Sequence, residues 1–468
     1  MTLHLTHWEE ISPGLYQRPI GENERFIRTI GDRAHAFGRE QWSVTTISSF
    51  SFRATEKNQQ DGVDWVHCLR EAWKLLRFQH PSIASTATDD GKLQYLVPDP
   101  VQLEKWLDET FQAVHDPTLT ADDLIANLKP SPTATLPFLS GSSQIVMHTA
   151  HWRTDGYGAL QLVDAFFDAV QSVLGGSKQP IIWGEEVSRL VPSVETALNL
   201  PLEATPDIDT TAREYLATGR YLAGTVGVPC EAGPTVLPRG TRHVHLELGE
   251  DITKALQVVC LGHGITMYSA VHAALAAVNF AQSPAVLDGD KHYTSTIRLN
   301  LRPHLPAPFN TAAVASGLYT GGYMSKVSAS SSFLDRARRY DEEYNNGVTE
   351  NFLSARRQYA KLACEIVRNS PPPPPISNID ISVVRDADTM VHATRETAVG
   401  VLEVSSVDLG VETLTRQTYC FVWVYRGKLQ LSLWYNEAYY ESDGAMELLE
   451  MVRDTLVSEL LGTSQSKE

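Results

Sequence analysis

The sequence predicts an α/β protein of two lobes, each a mixed sheet with flanking helices. Three observations lead there. The 468 residues exceed what one ordinary core serves and suit two domains of about 200 residues. Short β-branched and aromatic runs alternate with runs of helical periodicity. A stretch of weaker periodicity, 175–240, is richer in Gly, Pro and acids and divides the two alternating halves. The expected layout is an N-terminal lobe over 1–190, a crossover over 191–240 and a C-terminal lobe over 241–468.

The elements follow in order. "QWSVTTISSFSF" (41–52) is β-branched and aromatic and reads as a strand. In "VDWVHCLREAWKLL", Trp65, Leu69, Ala72 and Leu76 recur at spacings of four, three and four, one helical stripe. "KLQYLVP" is a short strand after the turn "DDG". Asp99 caps the next helix, with Pro100 at its first position and Leu103, Trp106 and Phe111 inward. "SQIVMHTA" is a strand, and 158–174 a helix with Leu162, Phe166, Ala169 and Val173 on one face. The glycines of "LGGSK" (174–178) cap its C-terminus. In the second half a helix covers 266–279, a strand 293–300, and a helix 333–346 with Ser332 and Asp335 as its capping box. The prolines 371–375 form a rigid extended linker. "TYCFVWVY" and "LQLSLWYN" flank Arg426-Gly427-Lys428 as a hairpin, and Asp443 caps a terminal helix.

Bulk numbers exclude several classes. A composition 43% hydrophobic and 20% charged is that of a soluble globular protein. No apolar run approaches the roughly 20 residues that span a bilayer, and "MTLHLTHWEE" lacks the features of a signal peptide. A cytoplasmic location is expected. The five cysteines form no CxxC, so neither disulfides nor a zinc knuckle are expected. A net charge of −17 without a basic run argues against nucleic acid and anionic membranes. A phosphate-bearing ligand would have to be met by a few placed cations.

The chemistry concentrates in "QIVMHTAHWRTDGYGALQLVDAFFDAV" (144–170), where an apolar strand ends in His151 and Asp155 follows four positions on. An imidazole with a pKa near about 6.5 can take a proton from an alcohol at neutral pH. His151 could equally be a satisfied structural histidine. Asp155 could orient it, or Asp155-Gly156 could be turn chemistry before a helix. A metal is disfavoured: His148 and His151 are three apart, which on a strand sends them to opposite faces, and no HExxH occurs. No Cys or Ser stands beside His151 in a nucleophile motif, so no covalent acyl-enzyme is implied.

"HWRTDG" (151–156) resembles the HxxxDG signature of the CoA-dependent acyltransferase superfamily, which includes chloramphenicol acetyltransferase, the plant BAHD enzymes and peptide-synthetase condensation domains. "WEEISPGLYQRPIGENE" (8–24), "NLRPHLPAP" (300–308) and "GKLQLSLWYNEAYY" (427–440) agree in order, and fungal enzymes like trichothecene 15-O-acetyltransferase are the nearest group. The resemblance implies two chloramphenicol-acetyltransferase-like lobes with an active-site tunnel at their interface. It implies that His151 is the general base, that Asp155 is structural and pairs with an arginine, and that Gly156 permits the close turn. Arg302 in "NLRP" is the best match for the arginine, with Arg298 the alternative. Ser405, Ser406, Tyr435 and Asn436 on late strands are candidate oxyanion or substrate contacts, and Tyr323 in "GLYTGGYM" a candidate acceptor contact.

The implied reaction is transfer of an acyl group, acetyl in the simplest case, from acyl-CoA as co-substrate to a hydroxyl of a bulky terpenoid or polyketide. No permanently bound cofactor is implied. The partners are a small-molecule alcohol and acyl-CoA, and the chain is expected to be a monomer. Two departures refine this. The BAHD DFGWG motif is absent, "DLGVE" (408–412) being the nearest remnant. Ala150 stands where condensation domains carry a second His, which favours transfer to a small molecule. The alternatives are a cyclisation or amide-forming condensation without CoA, and a non-catalytic homologue that binds a ligand.

Overall fold

The computed structural model describes residues 8–55, 62–176, 180–230, 232–233, 235–283, 291–370, 375–385 and 387–462. The chain divides into two compact units interleaved along the sequence. The first comprises Met1–Leu200, Arg302–Tyr319 and Asp388–Leu409, and the second Pro201–Leu301, Thr320–Ala387 and Gly410–Glu468. Segments 302–319 and 388–409, which the sequence reading leaves with the C-terminal half, thus belong to the first unit.

A six-stranded sheet organises the first unit, in the order Thr394–Thr397, Gly400–Val411, Val44–Ala54, Gln144–Thr149, Leu136–Leu139 and Phe111–Val114. Val44–Ala54 and Gln144–Thr149 pair antiparallel, with Thr45 opposite His148. Gln144–Thr149 is buried from Ile145 to Thr149, and Val44–Ala54 is buried over Val44–Ser48 and at Phe50. The helix Trp65–Gln79, capped by Asp64, packs on the helix Gly156–Leu174. Leu69, Ala72, Trp73 and Leu76 of the former are fully enclosed, as are Phe166, Phe167, Ala169 and Val170 of the latter. Asp99 forms a capping box with Gln102 on the helix Pro100–Thr110. Phe111 is the C-cap of that helix, its amide donating to the Leu107 carbonyl, and also begins the strand Phe111–Val114, where it is buried. A second sheet orders Glu9–Ser12, Leu15–Pro19, Lys92–Leu96 and Thr86–Ala87.

The second unit holds a four-stranded sheet in the order Ile379–Val383, Thr418–Tyr425, Lys428–Asn436 and Thr241–Leu248, and a two-stranded pair, His292–Asn300 with Thr320–Ser328. Arg426 and Gly427 both take positive φ, 53° and 71°, which closes the hairpin in two residues. The helix Met267–Gln282 is capped by Thr266 and packs on Phe333–Asn346, which Ser332 caps, and on Ser442–Leu461.

Some expectations shift. The terminal helix begins one residue before Asp443, with Glu441 at the N-cap, so Asp443 lies in the first turn, where a carboxylate also favours the helix dipole. The region 175–240 contains a regular helix, Pro206–Ala217, whose Thr205 accepts from the Ile208 amide. Its one buried side chain is Ala212, so it shows little apolar stripe. Of "LGGSK", Gly175 ends the helix and Gly176 turns with φ of 67°. Ser177 and Lys178 lie outside the described residues, as do prolines 371–374. No single helix among the described residues is long and apolar enough to cross a membrane.

Candidate active site

His151 is not on the strand. Gln144–Thr149 ends two residues earlier, and His151 opens a single 3-10 turn, His151–Arg153, between strand and helix. The opposite-faces argument therefore does not apply to it. His148, still on the strand, is buried with Nδ1 2.9 Å from Thr45 Oγ1, and burial lowers its pKa to about 4. His151 is only partly buried. Its Nδ1 lies 2.9 Å from the carbonyl oxygen of Thr154. A carbonyl accepts and never donates, so Nδ1 carries the hydrogen and the basic lone pair of the neutral ring falls on Nε2. The Thr154 amide donates back to the His151 carbonyl at 3.3 Å, and Thr154 Oγ1 donates to the Ala315 carbonyl at 2.8 Å. Backbone and imidazole thus close one small ring that holds the side chain.

Asp155 does not touch this ring hydrogen. It caps Gly156–Leu174, accepting the Gly158 amide at 2.9 Å. It also receives Arg302 Nη1 on both oxygens, at 2.8 and 2.9 Å, and the Tyr319 amide at 2.7 Å. Arg302 Nη2 reaches the carbonyls of Val314 and Gly317. Both partners are about 97% or more buried. The other candidate, Arg298, pairs with Asp380 at 2.8 Å. Gly156 is the first residue of the helix. The closer constraint is at Gly158, where a Cβ would stand 2.2 Å from the Ala315 carbonyl and 2.9 Å from Arg302 Nη2.

Of the remaining candidates, Tyr323, Tyr435 and Asn436 lie in the second unit and Ser405 and Ser406 in the first. Asn436 is buried with both amide hydrogens engaged, on the Arg239 and Thr413 carbonyls, while its oxygen takes the Arg239 and Ala438 amides. It has no donor left for an oxyanion. Tyr323 donates to Glu343 Oε2 on a groove of about 750 Å³ within the second unit, lined also by Tyr215, Tyr221, Lys326 and Arg339. Tyr435 is buried in the sheet. Ser405 and Ser406 are exposed, and Ser405 donates to the Ser49 carbonyl.

Sequence reasoning missed Gly158, Thr154 and the ion pair Arg18–Glu24. Arg18 binds Glu24 through both Nη atoms and gives Nε to the Val191 carbonyl, all of it buried. The "RPIGENE" spacing is the signal: Gly21 donates its amide to Glu24, closing the turn that brings the pair together. Elsewhere in this unit, Asp32, His35 and Glu40 place three potential ligand atoms within 4.8 Å of one another. Burial pushes the Glu40 carboxyl up to about 7, and Arg28 already pairs with Asp32 at 3.3 Å.

Comparison with known proteins places this arrangement. Residues 110–320, which include the whole His151–Arg302 cluster, match the family described as 15-O-acetyltransferase Tri3. Acetyltransferase pigO of Monascus ruber is 46% identical over 97% of this chain and 98% of its own length. The chain belongs to the Tri3 acetyltransferase family. O-acetyltransferase pigM of the same organism is 30% identical over 97% of the chain and 87% of its own length. The Aspergillus terreus azaphilone biosynthesis cluster protein M is 26% identical over 95% of the chain and 96% of its own length. Among solved structures, the trichothecene 15-O-acetyltransferase of Fusarium sporotrichioides shares the fold, with a TM-score of 0.79 at 18% identity over 98% of this chain and 99% of that one. A condensation domain of the calcium-dependent antibiotic synthetase does so at 0.64, with 12% identity over 96% of this chain and 97% of that one. As a Tri3 family member the chain is an acyltransferase, and its relatives place it with the O-acetyltransferases.

Proposed function

We propose that this enzyme transfers an acetyl group from acetyl-CoA to a hydroxyl of a polyketide of the azaphilone class, with His151 as general base. The Nδ1 contact to the Thr154 carbonyl carries the reading, because it directs the basic lone pair to Nε2 of a partly buried ring. Nε2 takes the hydroxyl proton while the oxygen attacks the thioester carbonyl. The positive charge gathering on the ring strengthens the Nδ1–H bond to Thr154. As the tetrahedral intermediate collapses, the C–S bond breaks and Nε2 returns its proton to the departing thiolate, leaving ester and free CoA.

Asp155 acts on the fold, since its lone pairs are occupied by Arg302 and two amides. The acceptor class is supported by the azaphilone-cluster relative, 26% identical over 95% of this chain. Incubation with acetyl-CoA and a panel of hydroxylated azaphilones, trichothecenes and other terpenoids, followed by mass spectrometry, tests it. The expected result is a gain of one acetyl on an azaphilone, lost by about a hundred- to ten-thousand-fold in His151→Ala with circular dichroism unchanged. Turnover retained in His151→Ala, or acetylation confined to the terpenoids, would overturn the corresponding half of the proposal.

A further inference from the structure

Arg153 stands two residues past the proposed base and ends the 3-10 turn that begins at His151. It is 7% exposed. Among the described residues no carboxylate forms an ion pair with it, and its guanidinium is held by main-chain carbonyls from two other segments. Nη1 donates to Ser85 O at 2.5 Å and Nη2 to Pro132 O at 2.6 Å, with a longer approach of Nη1 to Ser85 Oγ at 3.4 Å. The guanidinium carbon lies 4.4 Å from the centre of the Trp152 ring, and Trp152 sits in a buried cluster with Ile20, Leu93 and Ala150. The two gripped segments are themselves joined, since the Ala134 amide donates to Ile83 O at 3.0 Å.

Stability alone explains this poorly. A buried charge costs desolvation that an apolar side chain of similar volume would avoid. What the fork supplies is geometry: two donors fixed in one plane, each holding a different strip of backbone. Arg153 shares a single 3-10 turn with His151, so a shift of Arg153 shifts the imidazole.

Resting on the general-base reading above, we propose that Arg153 is a positioning residue for acyl transfer. It clamps the His151 turn between the 81–85 and 130–134 segments and so fixes where Nε2 meets the hydroxyl. A lysine offers one donor point where two are needed, and a methionine fills the space without donors.

The test compares wild type with Arg153→Lys, Arg153→Met, Arg153→Ala and His151→Ala. It uses acetyl-CoA and whichever hydroxylated substrate the wild type turns over. A displacement of about an ångström at a reacting group lowers rates about a hundredfold. Arg153→Met should therefore fold and keep its KM for acetyl-CoA within about twofold while kcat falls by about that factor. Arg153→Lys should fall between the two, and millimolar guanidinium should restore part of the rate of Arg153→Ala. A folded Met variant with kcat close to wild type, a loss carried by KM alone, or variants that all fail to fold would overturn the proposal. The last outcome would make Arg153 a folding residue. His151→Ala separates the two readings. If it stays active, the general base is wrong. If it is dead while Arg153→Met is normal, only the clamp falls.

Discussion

At the scale of single residues, the site separates two jobs that the sequence motif runs together. His151, the base of the proposed mechanism, is held by a carbonyl, whereas Asp155 is tied into the fold by four hydrogen bonds. Asp155→Ala should therefore destabilise the protein by about 3–5 kcal/mol, because it strands the Arg302 guanidinium in the interior. Chemical denaturation beside His151→Ala, which should unfold like wild type, checks this. Gly158→Ala should yield little folded protein, since its methyl would overlap the Ala315 carbonyl. His148 offers a pH signature. Its native pKa is lowered to about 4 by burial, while the unfolded ring binds a proton near about 6.5. The unfolded state is thus protonated first, and the stability due to a neutral His148 is lost as pH falls through this window. His148→Gln should be less stable than wild type at pH 7. That gap should shrink by up to about tenfold in folding constant per pH unit between roughly 6.5 and 4. A constant gap would count against it. The imidazole and carboxylate of the motif were legible in the sequence because polar groups after an apolar strand stand out. Gly158 was not, since its need arises from a carbonyl 157 positions away, and Thr154 acts through its backbone oxygen, which no side-chain identity reports.

Among elements, those whose ends carry side-chain caps were read most directly. Asp99, Ser332 and the pair Arg426-Gly427 each declare a boundary through local chemistry, and the structure places boundaries there. The helix Pro206–Ala217 carried a cap of the same kind, Thr205 before Pro206, but it buries so little that periodicity gave no support. The short strands Leu136–Leu139 and Phe111–Val114 were missed for the opposite reason: at four residues each, all or partly buried, they have no period to show. "DLGVE" gains a reason for its glycine. Gly410 lies on the strand Gly400–Val411 directly against Trp434, where a Cβ would come within 1.8 Å of the indole. Gly410→Ala should abolish soluble expression, and Gly410→Ala with Trp434→Leu should recover part of it. Normal expression of the single variant would show that the strand can slide to admit a methyl.

For the molecule as a whole, the α/β class and the repeated strand–helix rhythm were visible in the sequence, but the interleaving of the units was not. Long-range return of a chain segment leaves no local trace. It has a measurable consequence. A fragment ending at residue 240 contains the motif but lacks Arg302, the Tyr319 amide and the strands Thr394–Thr397 and Gly400–Val411 that complete the sheet of the first unit. Such a fragment should be insoluble or lack a cooperative unfolding transition, whereas the full chain should show one. The anchoring of Asp155 reaches further still. Selection for a stable scaffold alone would preserve the aspartate, its arginine and the tight glycine in any descendant that had abandoned catalysis. In a survey of genomes, then, an intact tail of the signature would mark only a folded member. On the proposed mechanism, the imidazole at its head is the letter that sorts working enzymes from silent ones.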